Sequence, residues 1–189
     1  MINLYIDFDG VLVDTINETY KMIADLGISL SDTERVNKFY RELDWNTVLS
    51  NTKEINDAFE NIRLLEESGL YKPCILTTVH SCNEMRAKVS FIRSKNKSIN
   101  IICVPKGIEK CDMVDPRNSI LIDDYGGNLK TWIESEGIGI KFSQEQSGKY
   151  ITINSLNELL KSKRVLSLIA EQIKNENSLK LVNRMKTYC

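Results

Sequence analysis

Short apolar runs alternate along the chain with segments in which apolar residues recur at helical spacing. Runs of this length are typical of strands buried on both faces, as in a parallel sheet. The six runs that predict strands are Ile2–Ile6, Pro73–Thr77, Ile99–Val104, Ser119–Ile122, Gly139–Phe142 and Tyr150–Ile153. The five segments that predict helices are Asn17–Leu26, Glu54–Ser68, Asn83–Ser94, Lys110–Val114 and Asn128–Ser135. Strands that alternate with helices predict an α/β fold with a Rossmann-like, doubly wound parallel sheet.

The interval between the first two predicted strands is too long for a simple strand-to-helix connection. We interpret residues 16–65 as a mostly helical cap inserted after the first strand. The core then comprises residues 1–15 and 66–154, and residues 155–189 form a further helical segment that packs on or extends the core.

Composition and charge give little support to a nucleic-acid-binding, membrane or secreted protein. The 189 residues carry a net charge of −1, which gives no electrostatic case for nucleic acid or a membrane as partner. Neither a signal peptide nor an apolar run of the ~18 residues of a transmembrane helix is found, so we expect a cytoplasmic protein. Residues 161–189 hold seven basic residues against two acidic ones, interpreted as a solvated helix face or a docking tail rather than a nucleic-acid contact. The oligomeric state stays open.

Cysteine and histidine usage gives no support to two other classes of protein. The five cysteines include no Cys-x-x-Cys pair, and an odd number favours reduced thiols over a disulfide framework. With a single histidine, His80, and no ligand spacing, a zinc site is not expected.

Two acidic residues follow the first predicted strand and are the first candidates for chemistry. Asp7 and Asp9 are separated by one residue and followed by Gly10, at which the chain can turn sharply. An Asp-x-Asp sequence can simply cap a turn, but neighbouring carboxylates repel each other and usually need a cation, a proton or a substrate. Mg²⁺ prefers oxygen ligands, and Asp7 with the backbone carbonyl of Asp9 could supply part of its shell.

A second pair of acids, Asp123 and Asp124, ends the strand that begins near Ser119. Adjacent strand residues point to opposite faces, so one acid would reach a metal directly and the other would act through water or a lysine. We favour Asp124 as the direct ligand. Because strand ends meet at one edge of a parallel sheet, the full predicted metal set is Asp7, Asp9, Asp123 and Asp124.

The string from Asp7 to Thr15 (Asp-Phe-Asp-Gly-Val-Leu-Val-Asp-Thr) resembles the first motif of the haloacid dehalogenase (HAD) superfamily of phosphotransferases. The runs Cys74–Thr78 and Ile120–Asp124 resemble its second and fourth motifs. The resemblance implies that Asp7 is the nucleophile and that Asp9 is the general acid and base. It also implies that Thr77 binds the transferring phosphoryl group.

The third motif of that superfamily is a lysine, and the sequence offers two. Lys110 is preferred because it begins an apparent helix shortly before the next strand, as the superfamily's lysine does. Lys106 precedes a glycine in a loop and would instead contact substrate, together with Thr78.

The resemblance implies a Mg²⁺-dependent phosphomonoesterase that works through an aspartyl-phosphate. Over roughly residues 1–135 the chain is similar to bacterial and phage 5′(3′)-deoxyribonucleotidases, which implies a nucleoside monophosphate as substrate. The cap aromatics Phe39, Tyr40 and Trp45 could then stack on the base. Two alternatives remain: a phosphatase for a sugar phosphate or another small metabolite, and a binding or regulatory protein on a HAD scaffold.

Overall fold

A single six-stranded sheet forms the centre of the molecule. The computed structural model describes the backbone of residues 1–186 and the side chains of residues 1–174. The strands lie in the order β3-β2-β1-β4-β5-β6, and every neighbouring pair is parallel. Their bounds are β1 Ile2–Ile6, β2 Tyr71–Val79, β3 Asn100–Pro105, β4 Ser119–Asp123, β5 Ile138–Phe142 and β6 Ile151–Ile153. The predicted Rossmann-like α/β fold is confirmed.

Helices lie in four of the five connections between these strands and after β6. Four of them separate β1 from β2: α1 Thr15–Asp25, α2 Thr33–Glu42, α3 Trp45–Asn51 and α4 Ala58–Glu67. The others are α5 Cys82–Lys95, α6 Lys110–Met113, α7 Gly126–Glu134, α8 Glu158–Lys161 and α9 Lys163–Lys186. The helix predicted to begin at Glu54 starts instead at Ala58, because Asn56 and Asp57 have positive φ angles of 46° and 53°.

The long connection between β1 and β2 is helical, and its parts pack differently. α4 packs on β2, whereas α3 packs on α5 and α1 packs on α3. α2 buries none of its residues. An isolated bridge between Val13 and Glu54 brings the two ends of the connection together. The exact division at residues 16 and 65 stays a prediction.

The sheet separates two apolar clusters, since alternate residues of each strand face opposite sides. In β4, Ile120 and Ile122 belong to the larger cluster and Leu121 belongs to the smaller one. The larger cluster also contains Trp45 of α3, so part of the predicted cap shares its core with the sheet. Apolar burial on both faces holds the strands, and therefore the polar residues at their ends, in fixed positions.

The C-terminal helices begin against this core. Val165 and Ile169 of α9 are buried in the larger cluster, and Arg164 donates to the carbonyl of Thr152. Within the described residues no helix combines the length and apolar character that crossing a membrane requires. The side chains of the basic residues Lys180, Arg184 and Lys186, and all of Cys189, lie outside the described residues, so the docking interpretation stays a prediction.

Candidate active site

Three carboxylates converge where β1 and β4 end. Ile6 and Ile122 are partners in the parallel register of these strands, which places Asp7 next to Asp123. One oxygen from each of Asp7, Asp123 and Asp124 lies within 4.8 Å of the others. The acids that end two separate strands therefore form one cluster.

Gly10 makes room for this cluster. It has a φ of +70°, and a Cβ atom placed there would lie 2.6 Å from Oδ2 of Asp124. A residue with a side chain would therefore meet both backbone strain and a clash with a candidate ligand.

Lys110 is the cation at the centre of the cluster. Its Nζ donates to Oδ1 of Asp7 at 2.9 Å and to Oδ2 of Asp123 at 2.7 Å, and the side chain is only 1% exposed. Although burial alone would lower the pKa of Lys110, the charges of Asp7 and Asp123 raise it. Of the two candidate lysines, this one bridges the acids, while Lys106 lines the adjacent cavity.

The two acids at the end of β4, Asp123 and Asp124, have different surroundings. Oδ2 of Asp123 accepts from Lys110 and, at 2.9 Å, from Nδ2 of Asn128, while Oδ1 accepts from the backbone N–H of Tyr125 at 2.8 Å. The carboxylate of Asp124 accepts no hydrogen bond from any described residue. Asp124 therefore retains more capacity to bind a cation, and Asp123 is committed to orienting Lys110.

Without a metal ion, the site favours the protonated forms of two of its carboxyl groups. Burial, with smaller effects from Asp123 and Asp9, raises the pKa of Asp7 to about 8 against the opposing charge of Lys110. Burial and the neighbouring Asp123 raise the pKa of Asp124 to about 6. A hard divalent cation would favour the ionised form of both groups, so this all-oxygen donor set fits Mg²⁺.

The side chain of Asp9 lies outside the carboxylate cluster. Its Oδ1 accepts from the hydroxyl of Thr15 at 2.6 Å, and its Oδ2 accepts from Nζ of Lys88. The structure therefore does not favour the Asp9 carboxylate as a metal ligand, because both of its oxygens already have protein partners. The backbone carbonyl of Asp9 remains the predicted contribution of this residue to a metal shell.

Lys88 is a residue that sequence reasoning missed. It is fully buried on α5, and its Nζ lies 2.7 Å from Oε1 of Glu84, 3.1 Å from the Thr78 carbonyl and 3.4 Å from the Thr77 hydroxyl. A Glu and a Lys four residues apart on a helix usually form an exposed surface pair. The signal that could have found them is helical spacing, which puts both on the same face as the buried Ala87 and Ile92.

The two threonines at the end of β2 face different surroundings. Thr77 is fully buried and its hydroxyl accepts from Lys88, whereas Thr78 lines the cavity next to the carboxylates. The alternation of side chains along a strand explains the difference. Their assigned roles, phosphoryl binding by Thr77 and substrate contact by Thr78, stay predictions.

A cavity of about 340 Å³ opens over Asp7, Asp9 and Asp124. None of the described cap residues that line it carries a charge. They are Ile16, Thr19, Tyr20, Val36, Asn37, Tyr40 and Trp45. The cap side of the cavity is therefore suited to an uncharged group.

The three predicted stacking residues occupy different positions. The ring of Tyr40 lines the cavity and is nearly parallel to the rings of His80 and Trp45, with centroids 5.0 Å and 6.3 Å away. Trp45 is only 2% exposed, and Nζ of Lys88 lies 4.8 Å from its ring centroid. Phe39 lines a separate apolar cavity beside Met22, so its expected place in the active-site cleft is wrong.

Adjacent helical residues point about 100° apart, which explains why Phe39 and Tyr40 face different cavities. Two aromatic residues that were not predicted line the active-site cavity instead, Tyr20 of α1 and Tyr125 before α7. Their side chains are 48% and 66% exposed. An exposed tyrosine outside the motifs gives no signal in the sequence.

Comparisons with known proteins identify solved structures that have a similar fold. No protein-family model matches the sequence, and no curated protein is detectably similar to it. The structure is similar to a haloacid dehalogenase-like family hydrolase from Xanthomonas campestris, with 11% identity, a TM-score of 0.62, and coverage of 93% of this chain and 94% of that one. It is also similar to a HAD phosphatase from Thermococcus onnurineus, with 14% identity, a TM-score of 0.57, and coverage of 84% and 96%.

A third similar structure is a HAD hydrolase from Bacillus subtilis bound to magnesium, with 12% identity, a TM-score of 0.56, and coverage of 84% of this chain and 96% of that chain. At these identities the similarity concerns the fold. The chain has the fold of HAD-superfamily hydrolases, with its acids and lysine at the carboxyl edge of the sheet, where such folds bind their ligands.

Proposed function

We propose that this protein is a Mg²⁺-dependent phosphomonoesterase that forms an aspartyl-phosphate on Asp7. The observation that supports this most is the arrangement of Asp7, which is bonded to Lys110 and lies beside Asp123 and Asp124, with a second acid two residues away. This arrangement combines a nucleophile, a fixed cation and a proton carrier in one cavity, which a passive binding protein would not need.

In the proposed reaction, an oxygen of Asp7 attacks phosphorus and the bond from phosphorus to the leaving oxygen breaks. Lys110 holds Oδ1 of Asp7 in place and supplies positive charge next to the transferring group. Asp7 and Asp124 would hold the metal ion, with the carbonyl of Asp9 as a further ligand. When bound, the ion neutralises negative charge on the phosphoryl oxygens.

Asp9 carries the proton in both half-reactions. Its carboxyl group gives a proton to the leaving oxygen in the first step, and the carboxylate that remains takes a proton from water in the second. That water attacks phosphorus, the bond to Asp7 breaks, and inorganic phosphate leaves. The enzyme returns to its starting protonation state.

We further propose a nucleoside monophosphate as the cytoplasmic substrate. The uncharged cap side of the cavity favours a neutral leaving group over one with a second phosphate or a carboxylate. Tyr20 and Tyr125 line the same cavity and offer exposed aromatic surface to a base. Lys106 and Thr78 are available there for polar contact with the substrate.

A sugar phosphate is the second candidate, and two observations favour it. Trp45 is buried, and Tyr40 is already stacked on protein rings, so less aromatic surface is available than the sequence implied. Asn37 lines the cavity and could bond the hydroxyl groups of a sugar through its side-chain amide.

The deciding experiment is a phosphate-release screen across nucleoside monophosphates, sugar phosphates and p-nitrophenyl phosphate, with Mg²⁺ and with EDTA. We expect release only with Mg²⁺, and loss of turnover in Asp7→Asn because its amide cannot form the acyl-phosphate. Asp25→Asn removes an exposed acid from α1 and is the matched control. Release of phosphate from none of these esters by the wild-type protein would favour the binding or regulatory alternative.

A further inference from the structure

A largely buried chain of ionisable groups leads along α5 to Asp9. Lys88 is fully buried and donates to Asp9 on one side and to Glu84 on the other. Glu84 is itself 1% exposed and accepts from the backbone N–H of His80 at 2.7 Å, with Nδ1 of His80 at 3.3 Å. The order of groups is therefore His80, Glu84, Lys88, Asp9.

Simple packing does not account for this chain. Burying an ammonium group with two carboxylates requires their desolvation, and an apolar residue of similar volume often stabilises a core at least as well. The cluster also ends on the residue that carries the proton in the proposed reaction. A role in holding Asp9 explains both the charge of Lys88 and its position.

We propose that Lys88 is a positioning residue for Asp9, an inference that rests on the proposed function. Lys88 and Thr15 bind opposite oxygens of the Asp9 carboxylate, so the carboxylate plane is fixed from both sides. Lys88 does not line the substrate cavity, so it acts through Asp9 rather than on the ester.

The charge of Lys88 assists the first proton transfer, and its contact with Asp9 orients the carboxylate for the second. When Asp9 gives its proton to the leaving oxygen, the carboxylate that forms is already paired with the ammonium group. The same pairing keeps that carboxylate directed at the site until it receives a proton from water. Glu84 offsets the charge of Lys88, so the pair does not add a net positive charge to the core.

The cap covers this pair. The ring of Trp45 lies over the Lys88 ammonium, with a distance of 4.8 Å from Nζ to the ring centroid. A face of an aromatic ring attracts a cation and excludes water from it. The residue predicted to stack on a base is therefore assigned to shielding the Lys88–Asp9 pair.

The test compares two esters that differ in their need for a proton. Phenyl phosphate has a poor leaving group that needs the acid, whereas p-nitrophenyl phosphate has a leaving group that departs as a stable anion. Because general acid catalysis is typically worth ~10²–10⁴ in rate, we expect Lys88→Met to slow phenol release by about 10-fold or more relative to p-nitrophenol release in single-turnover measurements. KM should change little, because Lys88 does not touch the substrate cavity.

Asp9→Asn is the reference variant for this comparison. It should show the same preference for p-nitrophenyl phosphate, and adding Lys88→Met to it should change the rates by less than about 3-fold, since residues that act as a unit are non-additive. Lys88→Arg should recover part of the lost rate, and Lys130→Met, which removes an exposed lysine, is the matched control. If Lys88→Met does not fold, Lys88→Met/Glu84→Gln removes both charges and serves in its place.

Equal losses on the two esters, or full additivity with Asp9→Asn, would show a structural role and overturn the inference while leaving the proposed function intact. Absence of any ester preference in Asp9→Asn itself would overturn the proposed acid–base role and the inference with it. The two failures are therefore distinguishable in one set of measurements.

Discussion

At the residue scale, Gly10 has a decisive role although it has no side chain. Gly10 has a φ of +70°, and an added Cβ atom would lie 2.6 Å from Oδ2 of Asp124. We therefore predict that Gly10→Ala displaces that carboxylate. We expect a several-fold higher Mg²⁺ concentration for half-maximal activity and a loss of about 1 kcal/mol in the free energy of unfolding. Urea denaturation and a Mg²⁺ titration of activity measure the two effects.

Gly27→Ala is the control that separates strain from displacement. Gly27 also has a positive φ, of +61°, but nothing lies within 4 Å of the position that a Cβ atom would take there. Gly27→Ala should lose stability through backbone strain alone, less than Gly10→Ala loses, and should keep the wild-type response to Mg²⁺. The prediction fails if the two variants respond to Mg²⁺ in the same way.

The raised pKa values of Asp7 and Asp124 predict how Mg²⁺ and pH act together on stability. Burial raises these pKa values to about 8 and about 6, so the metal-free folded protein holds protons that the unfolded chain releases. Stability without metal therefore falls as pH rises toward 8, by up to about 1.4 kcal/mol per pH unit for each such proton. Mg²⁺ competes with these protons, so its stabilising effect should grow between pH 6 and pH 8.

Thermal unfolding at pH 6 and pH 8, each with Mg²⁺ and with EDTA, measures this difference. Asp124→Asn removes one of the two groups and should shrink the Mg²⁺ effect at both values. An increase in Tm on adding Mg²⁺ that is the same at pH 6 and pH 8 would contradict the predicted competition.

At the scale of elements, apolar patterns that repeat along the chain were sufficient to predict the main strands and helices. Features that depend on how the helices pack could not be predicted from the sequence. β1 has the predicted bounds, because an uncharged run ending in acids leaves little freedom for a buried strand. For the region of α2 and α3, the sequence predicted helix in general but did not predict these two short helices separately. α2 buries none of its residues, so no strong apolar face marks it in the sequence.

The residues of the candidate site also fall into those that the sequence could predict and those that it could not. The acids and Lys110 follow strand ends or precede a helix, where sequence motifs are informative. Lys88 and Glu84 share a helix face with the buried Ala87 and Ile92, but charged residues in a helix ordinarily face solvent, so the pairing of Lys88 with Asp9 was seen only in the structure. Phe39 was misplaced because the rotation of α2 about its axis is set by its tertiary contacts.

At the scale of the whole molecule, the cap and the core should unfold together. Trp45 of the cap belongs to the same apolar cluster as the sheet residues, and α3 packs on α5. The two tryptophans of the chain, Trp45 and Trp132, report on separate parts of it. We expect the fluorescence transitions of Trp132→Phe and Trp45→Phe in urea each to coincide with far-UV circular dichroism of the same variant.

Circular dichroism provides the internal control, because each substitution changes overall stability by its own amount. An early transition seen only by Trp45 would show that the cap unfolds independently of the core.

The strand order has a further consequence during synthesis on the ribosome. β1 pairs with β2 and β4, and the second of these partners begins only at Ser119. At about 5–20 residues per second, the apolar β1 segment waits on the order of ten seconds for that partner. Charges beside an apolar strand act as gatekeepers against aggregation in a nascent chain. Asp7 and Asp9 follow this strand directly and are therefore placed to act as such gatekeepers before they take up any role in the folded site.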